Sequence, residues 1–525
     1  FSIPTSGTTS SMYFRTTPAV MEVGDGYLVI WSTSFCGTGY IEYTYNGVKY
    51  TVYDEENGVI RTYDTVHAVK VPHEHLLGNS YTVYSQHVSA NNATTLTFST
   101  KISCGPLTLR KYASESSINV LQFTDTHSYI DHAKAVAKKF STTPDLIVMT
   151  GDIANYIKTK DMLIDDLFGL WSAVSGGQYP IVYCRGNHET RGRYASMLLE
   201  YYQTETGEMY FDFEYGPLYG LVLDTGEDKV DSHTEYGGVV NFKEYLQEER
   251  EWLSTLKPND KTYRLLVYHI PDLSDMNDSL FSFVSEINTL GMQFGICGHY
   301  HDTFWHDSGK YDLNFPQLIM GGDPYTGDVT GAMLKFTGGN SLNISVISQK
   351  GTNKLSKTIS LTSSKTSPVT YTAPNHGLNM QTTLTTLSLS FLSQPVVFET
   401  GDEDYYTVCW ATSVETLSYV EYTYQGTLYQ IHDEIGGERR TFDKLHSVKV
   451  LKEHLNNNIY RIGAVQCTRH DPNHHARGNS CVSNYYVFEN RNEGAAVKLY
   501  NLPNITAESA LTSMSSAIKE LGTSP

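Results

Sequence analysis

The chain has 525 residues, enough for several domains, and sets 38 Lys and Arg against 57 Asp and Glu for a net charge of -19. With 40% hydrophobic residues, 18% charged residues, 39 tyrosines and 20 phenylalanines, it is not a disordered polymer. The acidic balance excludes a nucleic-acid partner, which needs a basic footprint, and no apolar run reaches the roughly 18 residues of a membrane span.

Taken in order, residues 1–112 read as short strands of alternating character broken by turns such as Asn46-Gly47, the pattern of an antiparallel sandwich of immunoglobulin or fibronectin type. Residues 113–350 alternate strand and helix, an α/β signature. Apolar runs at 118–123, 146–149, 181–183, 265–268 and 294–296 predict buried strands, and the spacing at 161–174, 242–256 and 279–290 predicts helices. Residues 351–392 are a Ser- and Thr-rich connector with room for a β segment. Residues 393–492 repeat the first sandwich: residues 40–81 align without a gap to 419–460, with 22 of 42 positions identical, and Trp31 matches Trp410. That level of identity points to one duplicated module. The tail, 493–525, carries a helical stripe of Leu511, Met514, Ile518 and Leu521 closed by Gly522.

His67 and His75 recur as His446 and His454, and the duplication itself argues that they are packing residues rather than a second metal site. Of seven cysteines, Cys36 with Cys104 and Cys467 with Cys481 could each close a disulfide within one β module, and the other three read as buried thiols. Sequons at Asn92, Asn277, Asn343 and Asn504, with a first residue that is not methionine, favour a secreted, cell-surface or lysosome-like location.

Five short motifs stand at the carboxyl ends of the five apolar runs, where the loops of an α/β sheet gather into a crevice. They are Asp125-Thr126-His127, Gly151-Asp152, Gly186-Asn187-His188-Glu189, His269, and Gly298-His299-Tyr300-His301. Carboxylates with imidazoles suit zinc, iron or manganese. Each motif alone is weak, but the order and placement of all five are specific.

On these motifs residues 113–350 resemble the calcineurin-like metallophosphoesterase superfamily, whose pattern is D-x-H, G-D, G-N-H-D/E, H and G-H-x-H. The resemblance implies a sandwich of two mixed sheets flanked by helices, here set between two homologous all-β domains. It also implies that Asp125, His127, Asp152 and His301 hold one metal, that Asp152 bridges to a second held by Asn187, His269 and His299, and that His188 faces the substrate as proton donor. Two ions about 3.5–4 Å apart would neutralise a phosphate and activate water. Arg185, Arg191 and Arg193 flank the third motif as candidate phosphate clamps, and Tyr300 and Asn155 as further substrate contacts.

A β-sandwich ahead of the catalytic segment is similar to purple acid phosphatases, yet His127 is present and Asn155 stands where their tyrosine ligand would. That departure predicts a colourless protein in which Tyr156 is no ligand. Many relatives carry an aspartate at the position of Asn155, and an amide there orients His188 without stabilising its cation. Residues 298–304 and His269-Ile270-Pro271 also resemble acid sphingomyelinase-like phosphodiesterases. The expected activity is hydrolysis of phosphate monoesters on a small molecule or protein. The alternatives are a phosphodiesterase or nucleotide hydrolase, or a structural surface protein in which the paired β modules build a homo-oligomer or filament.

Overall fold

The computed structural model describes residues 11–92, 95–233, 236, 239–277, 281–323, 326–366, 389–467, 477–483, 485–488 and 499–502. The chain divides into two compact units, one of residues 1–230 and 245–371 and one of residues 231–244 and 372–525.

The first unit is built on two mixed sheets. Nine strands form the larger, in the order Asn353–Ser360, Ser341–Ser348, Thr330–Thr337, Ile118–Phe123, Leu146–Thr150, Pro180–Cys184, Phe14–Glu22, Tyr27–Thr33 and Val66–Val71. Six form the other: Phe211–Tyr215, Leu218–Val222, Tyr263–Val267, Phe294–Cys297, Gln317–Ile319 and Phe304–His306. All five expected strands are present, and they run as uninterrupted apolar segments because both of their faces are covered. Val120, Val148 and Val182 enter one core with Phe211, Val222, Leu265, Val267 and Ile296 of the smaller sheet. Their neighbours Leu121, Ile147 and Ile181 point the other way and are also buried. On that side helix Gly169–Ser175 packs on Pro180–Cys184, Phe14–Glu22 and helix Ile130–Ala137.

The helix expected at 161–174 is continuous from residue 160 to 175, with a π-helical stretch at Leu163–Phe168. The Thr159 hydroxyl accepts from the Met162 amide at its start, and Gly176, at φ 55°, ends it in the left-handed region that glycine enters without steric cost. The helix expected at 242–256 is Phe242–Thr255, and that expected at 279–290 reduces to Val284–Ile287. Within the expected connector, Asn353–Ser360 is the edge strand of the large sheet. No described helix is long and apolar enough to cross a membrane.

The N-terminal strands continue the central sheet: Phe14–Glu22 pairs in parallel with Pro180–Cys184, with Val20 opposite Pro180 and Met21 opposite Ile181. A second sheet, of Val48–Tyr53, Gly37–Tyr45, Ser80–Asn92 and Thr95–Thr108, closes a sandwich around Trp31, Ile41, Val69, Tyr81 and Val83.

The second unit holds a comparable β core around Val408, Trp410, Val420, Val448 and Ile462. Two histidines shared by the sequence copies keep the same principal partners in both. His67 Nδ1 and His446 Nδ1 each lie 3.0 Å from a buried carboxylate, Asp54 and Asp433. His75 meets the hydroxyl of Tyr43 at 3.1 Å, as His454 meets that of Tyr422, and each stacks on a further tyrosine, Tyr45 or Tyr424. These histidines are packing residues, and His67 and His446 each have an aspartate partner 13 positions upstream that ligand spacing did not suggest.

The Cys36–Cys104 pairing is corrected: both thiols are free. Cys36 lies alongside Val88, whose amide it accepts, whereas Cys104 stands opposite Val83 on the same strand. Five strand residues amount to roughly 17 Å, far beyond the reach of a disulfide. Cys481 is also free, and the Cys467 side chain lies outside the described residues. So does the expected C-terminal helix. Asn277, one of the sequons, is 1% exposed and its amide donates to the Lys229 carbonyl, so no glycan fits there.

One buried carboxylate links the N-terminal sandwich to the central core. Asp64 is bonded by Lys160, by the Tyr201 hydroxyl at 2.7 Å and by the amides of Thr65 and Val66. Burial alone would raise its pKa, but Lys160 and the donated hydrogen bonds prevail and hold it below the ordinary value of 3.8. A carboxylate depressed on folding contributes stability that is present above its unfolded pKa and lost as pH falls through the folded one. Asp64→Asn is therefore expected to cost about 1.5–3 kcal/mol at neutral pH. Acid titrations followed by circular dichroism should show the variant converging on the wild type below about pH 4. A constant difference down to the lowest pH would contradict this linkage.

Candidate metal centre

Three of the five motifs leave adjacent parallel strands of the large sheet, and two leave adjacent parallel strands of the smaller one. Hydrogen bonds between loops set their relative position. The Asp125 and His127 amides donate to the carbonyls of Gly151 and Asp152 at 3.0 Å, and the Gly298 amide to that of His269 at 3.0 Å. The two sheets are tied across the site by the His299 amide, which lies 3.1 Å from both carboxylate oxygens of Asp125. Gly186 and Gly298 are required by proximity, since a Cβ would collide with the Asp152 amide at the first and with Thr124 and Asp125 at the second.

The side chains converge in two sets. Asp125, His127, Asp152 and His301 form one, Asp152, His269 and His299 the other, and within each the possible ligand atoms all lie within 4.8 Å of one another. Asn187 Oδ1 completes the second set, 3.1 Å from both His269 Nε2 and His299 Nδ1. Asp152 is common to both. Its Oδ1 lies 3.3 Å from His269 Nε2, and its Oδ2 lies 3.9 Å from His127 Nε2 and 3.9 Å from His188 Nε2. That Oδ2 is buried without a hydrogen-bond partner, and His127 Nε2 and His301 Nε2 face each other at 3.1 Å. Two ring nitrogens converging on one point and an orphaned buried carboxylate oxygen are what a cation between them would satisfy. The nitrogen and oxygen donors fit zinc, iron or manganese.

Electrostatics favour the same use. Burial, with His188 and His301 nearby, lowers the pKa of His127 to about 4, and burial beside His269 lowers that of His299 to about 4. Both shifts favour the neutral imidazole, the form that can ligate a cation. Burial and then Asp152 raise Asp125 to about 7. For His269, burial acts downward, but Asp152 overrides it and lifts the pKa to about 10. Asp152 is held well below the ordinary carboxylate range by His269 and His188 against the opposing effect of burial. Without a cation the two are an ion pair.

The partners behind these ligands were not foreseen. His269 Nδ1 donates to the Thr150 carbonyl at 2.7 Å, which leaves Nε2 facing Asp152. Thr124 donates its hydroxyl to Asp125 at 2.8 Å. Glu189 accepts from the amides of Asp152 and Gly186 at 2.9 Å and of Ala154 at 2.6 Å. Its place in the third motif was visible, its role was not. His188 donates from Nδ1 to the backbone carbonyl of Asn155 at 2.8 Å, so main chain at that position orients the imidazole whatever side chain stands there. Tyr156 stacks on His188 with ring centres 5.4 Å apart. Tyr300 is 42% exposed beside His299.

Arg185 and Arg191 are corrected as phosphate clamps. They are 2% and 8% exposed, and buried carboxylates hold them. Arg185 meets Asp224 at 2.6 Å, and Arg191 meets Glu227 through two bonds of 2.7 and 2.9 Å. They brace the loop of Asn187 and His188 from behind.

Residues 118–303 match the family model described as calcineurin-like phosphoesterase. This segment is a calcineurin-like phosphoesterase domain. The chain is similar to the solved structure of purple acid phosphatase PPD1 from yellow lupin seeds, at 12% identity over 65% of this chain and 74% of that one with a TM-score of 0.46. It is similar to PhoD at 11% identity over 69% and 94%, TM-score 0.42, and to phosphopantetheinyl hydrolase from Mycobacterium tuberculosis at 15% over 40% and 92%, TM-score 0.27. No curated protein matches the chain.

Elemental analysis of the calcineurin-like domain in the full chain is expected to find about two transition-metal ions per chain, the number its two donor sets admit. Asp152→Asn should reduce both, and His127→Asn, which keeps a residue tolerant of that backbone conformation, mainly one. Equal metal content in the wild type and Asp152→Asn would show that the shared carboxylate holds no ion.

Proposed function

We propose that the protein hydrolyses phosphate monoesters, with one ion held by Asp125, His127, Asp152 and His301 and another by Asp152, Asn187, His269 and His299. The observation that carries this reading is the position of Asp152, shared by both donor sets and 3.9 Å from His188 Nε2. Zinc, iron or manganese bound there supplies charge neutralisation for the phosphate and lowers the pKa of water.

The remaining chemistry falls to the chain. His188 is fixed through Nδ1 by the Asn155 carbonyl, so Nε2 is the atom presented to the substrate. As the water oxygen bonds to phosphorus and the bond to the leaving oxygen breaks, the proton on Nε2 passes to that oxygen. Glu189, Thr150 and Thr124 hold the loops and imidazoles so that no reorganisation is needed at that moment. A secreted or lysosome-like setting, immunoglobulin- or fibronectin-like identity for the flanking β modules, and self-association through them belong to the same proposal, supported by the sequons and the sequence repeat.

His188→Ala should lower kcat for a monoester chromogen by about 10²–10⁴ while metal content stays at the wild-type level. An unchanged rate would remove His188 from the reaction. Faster turnover of a diester chromogen than of the monoester would replace the monoester reading with a phosphodiesterase.

A further inference from the structure

The phosphoesterase domain keeps its large apolar side chains inside, with a local exception. Among the described residues between 118 and 350, the exposed large hydrophobic side chains are Tyr129, Tyr300 and Phe304, at 37%, 42% and 42% exposure. All three are aromatic, and all three lie beside candidate ligands. Tyr129 is two residues after His127, Tyr300 stands between His299 and His301, and Phe304 is three residues past His301. A fourth ring, Tyr156, is half-buried and lies nearly parallel to His188, at 24°.

These rings are braced. Tyr129 stacks on His132 at 5.2 Å and 11°. The Tyr300 hydroxyl is 3.2 Å from that of Tyr311, and its ring meets Phe304 edge-on at 6.3 Å. Held rings lose little freedom when something stacks on them. An alkyl chain would be better served by flexible aliphatic side chains, and none is exposed among the described residues of this domain. Arg185 and Arg191 are already engaged by Asp224 and Glu227, so neither is placed to grip an ester, which leaves more of the recognition to the leaving group.

Resting on the phosphoesterase reading, we infer that this aromatic rim selects phosphate esters whose leaving group is a flat ring system. The phenol of a phosphotyrosine is such a ring, and the nucleoside that leaves a nucleotide carries one on its sugar.

The test uses the full-length, metal-loaded protein. Binding is measured for two non-hydrolysable probes, phenylphosphonate and methylphosphonate, and hydrolysis for phosphotyrosine, a nucleoside 5'-monophosphate and glycerol phosphate. Phenylphosphonate should bind about tenfold more tightly than methylphosphonate, the size of a stacking contact. Tyr300→Leu and Phe304→Leu should each erase most of that difference, with methylphosphonate as the internal measure of an intact site, and Tyr300→Phe should keep it. A greater loss of kcat/KM for phosphotyrosine or for the nucleotide than for glycerol phosphate in the leucine variants supports the rim and tells which ring is used. Equal binding of the two phosphonates, or equal weakening of both in the leucine variants, overturns it. If neither phosphonate nor inorganic phosphate binds to protein with full metal content, the phosphoesterase reading itself fails and the rim falls with it.

Discussion

The centre depends on one buried carboxylate that touches no substrate. Glu189 gathers the amides of Asp152, Ala154 and Gly186, and so welds the loop that ends one strand to the loop that ends its neighbour. Burial, with Asp152 close by, raises its pKa to about 7, and the amides of Ala154 and Gly186, with His269, act against that rise. A carboxylate in such a place is tolerated only when its oxygens are saturated with donors, as these are. Metal sites demand side chains placed to a fraction of an ångström. Here that precision comes from main-chain groups pinned by one side chain, and the ion pairs of Arg185 and Arg191 secure the same loop from its far side.

The sequence made the five central strands legible because each is buried on both faces and so reads as a solid apolar run, and strand ends locate loops. Residues such as His127 and His301 could be picked out because their types suit one chemistry and their order is specific. Side-chain direction was not legible: Arg185 and Arg191 stand next to a motif, yet both turn inward to Asp224 and Glu227. Nor was pairing. Nothing in the alternation of residues 14–22 says that Val20 will lie against Pro180, because period-two patterning reports which face is buried and not which strand is the neighbour. The Cys36 and Cys104 guess failed for the same reason, since membership of one module fixes neither rung nor face.

The duplicated segment teaches a related lesson. Histidines that recur at equal spacing look like a chemical signature, but His67 and His446 are held by Asp54 and Asp433 beneath Trp31 and Trp410. A copied module carries its packing solutions with it. The abundance of tyrosine fits the same packing logic, since rings bury much area while their hydroxyls reach partners such as Asp64 or the Gly177 carbonyl.

The backbone of the centre carries one more implication. Asp125, His127, Asp152, His299 and His301 all have positive φ, from 43° to 76°, a region that costs a residue with a side chain about 1–2 kcal/mol. The amides of Asp125, His127 and Gly298, bonded to the carbonyls of neighbouring loops, hold the chain in that region against this resistance. Aspartate and asparagine enter this region more readily than alanine does. An alanine scan of these positions would therefore confound the loss of a donor with the release of a bent chain, and replacement by asparagine is the cleaner probe of the aspartates.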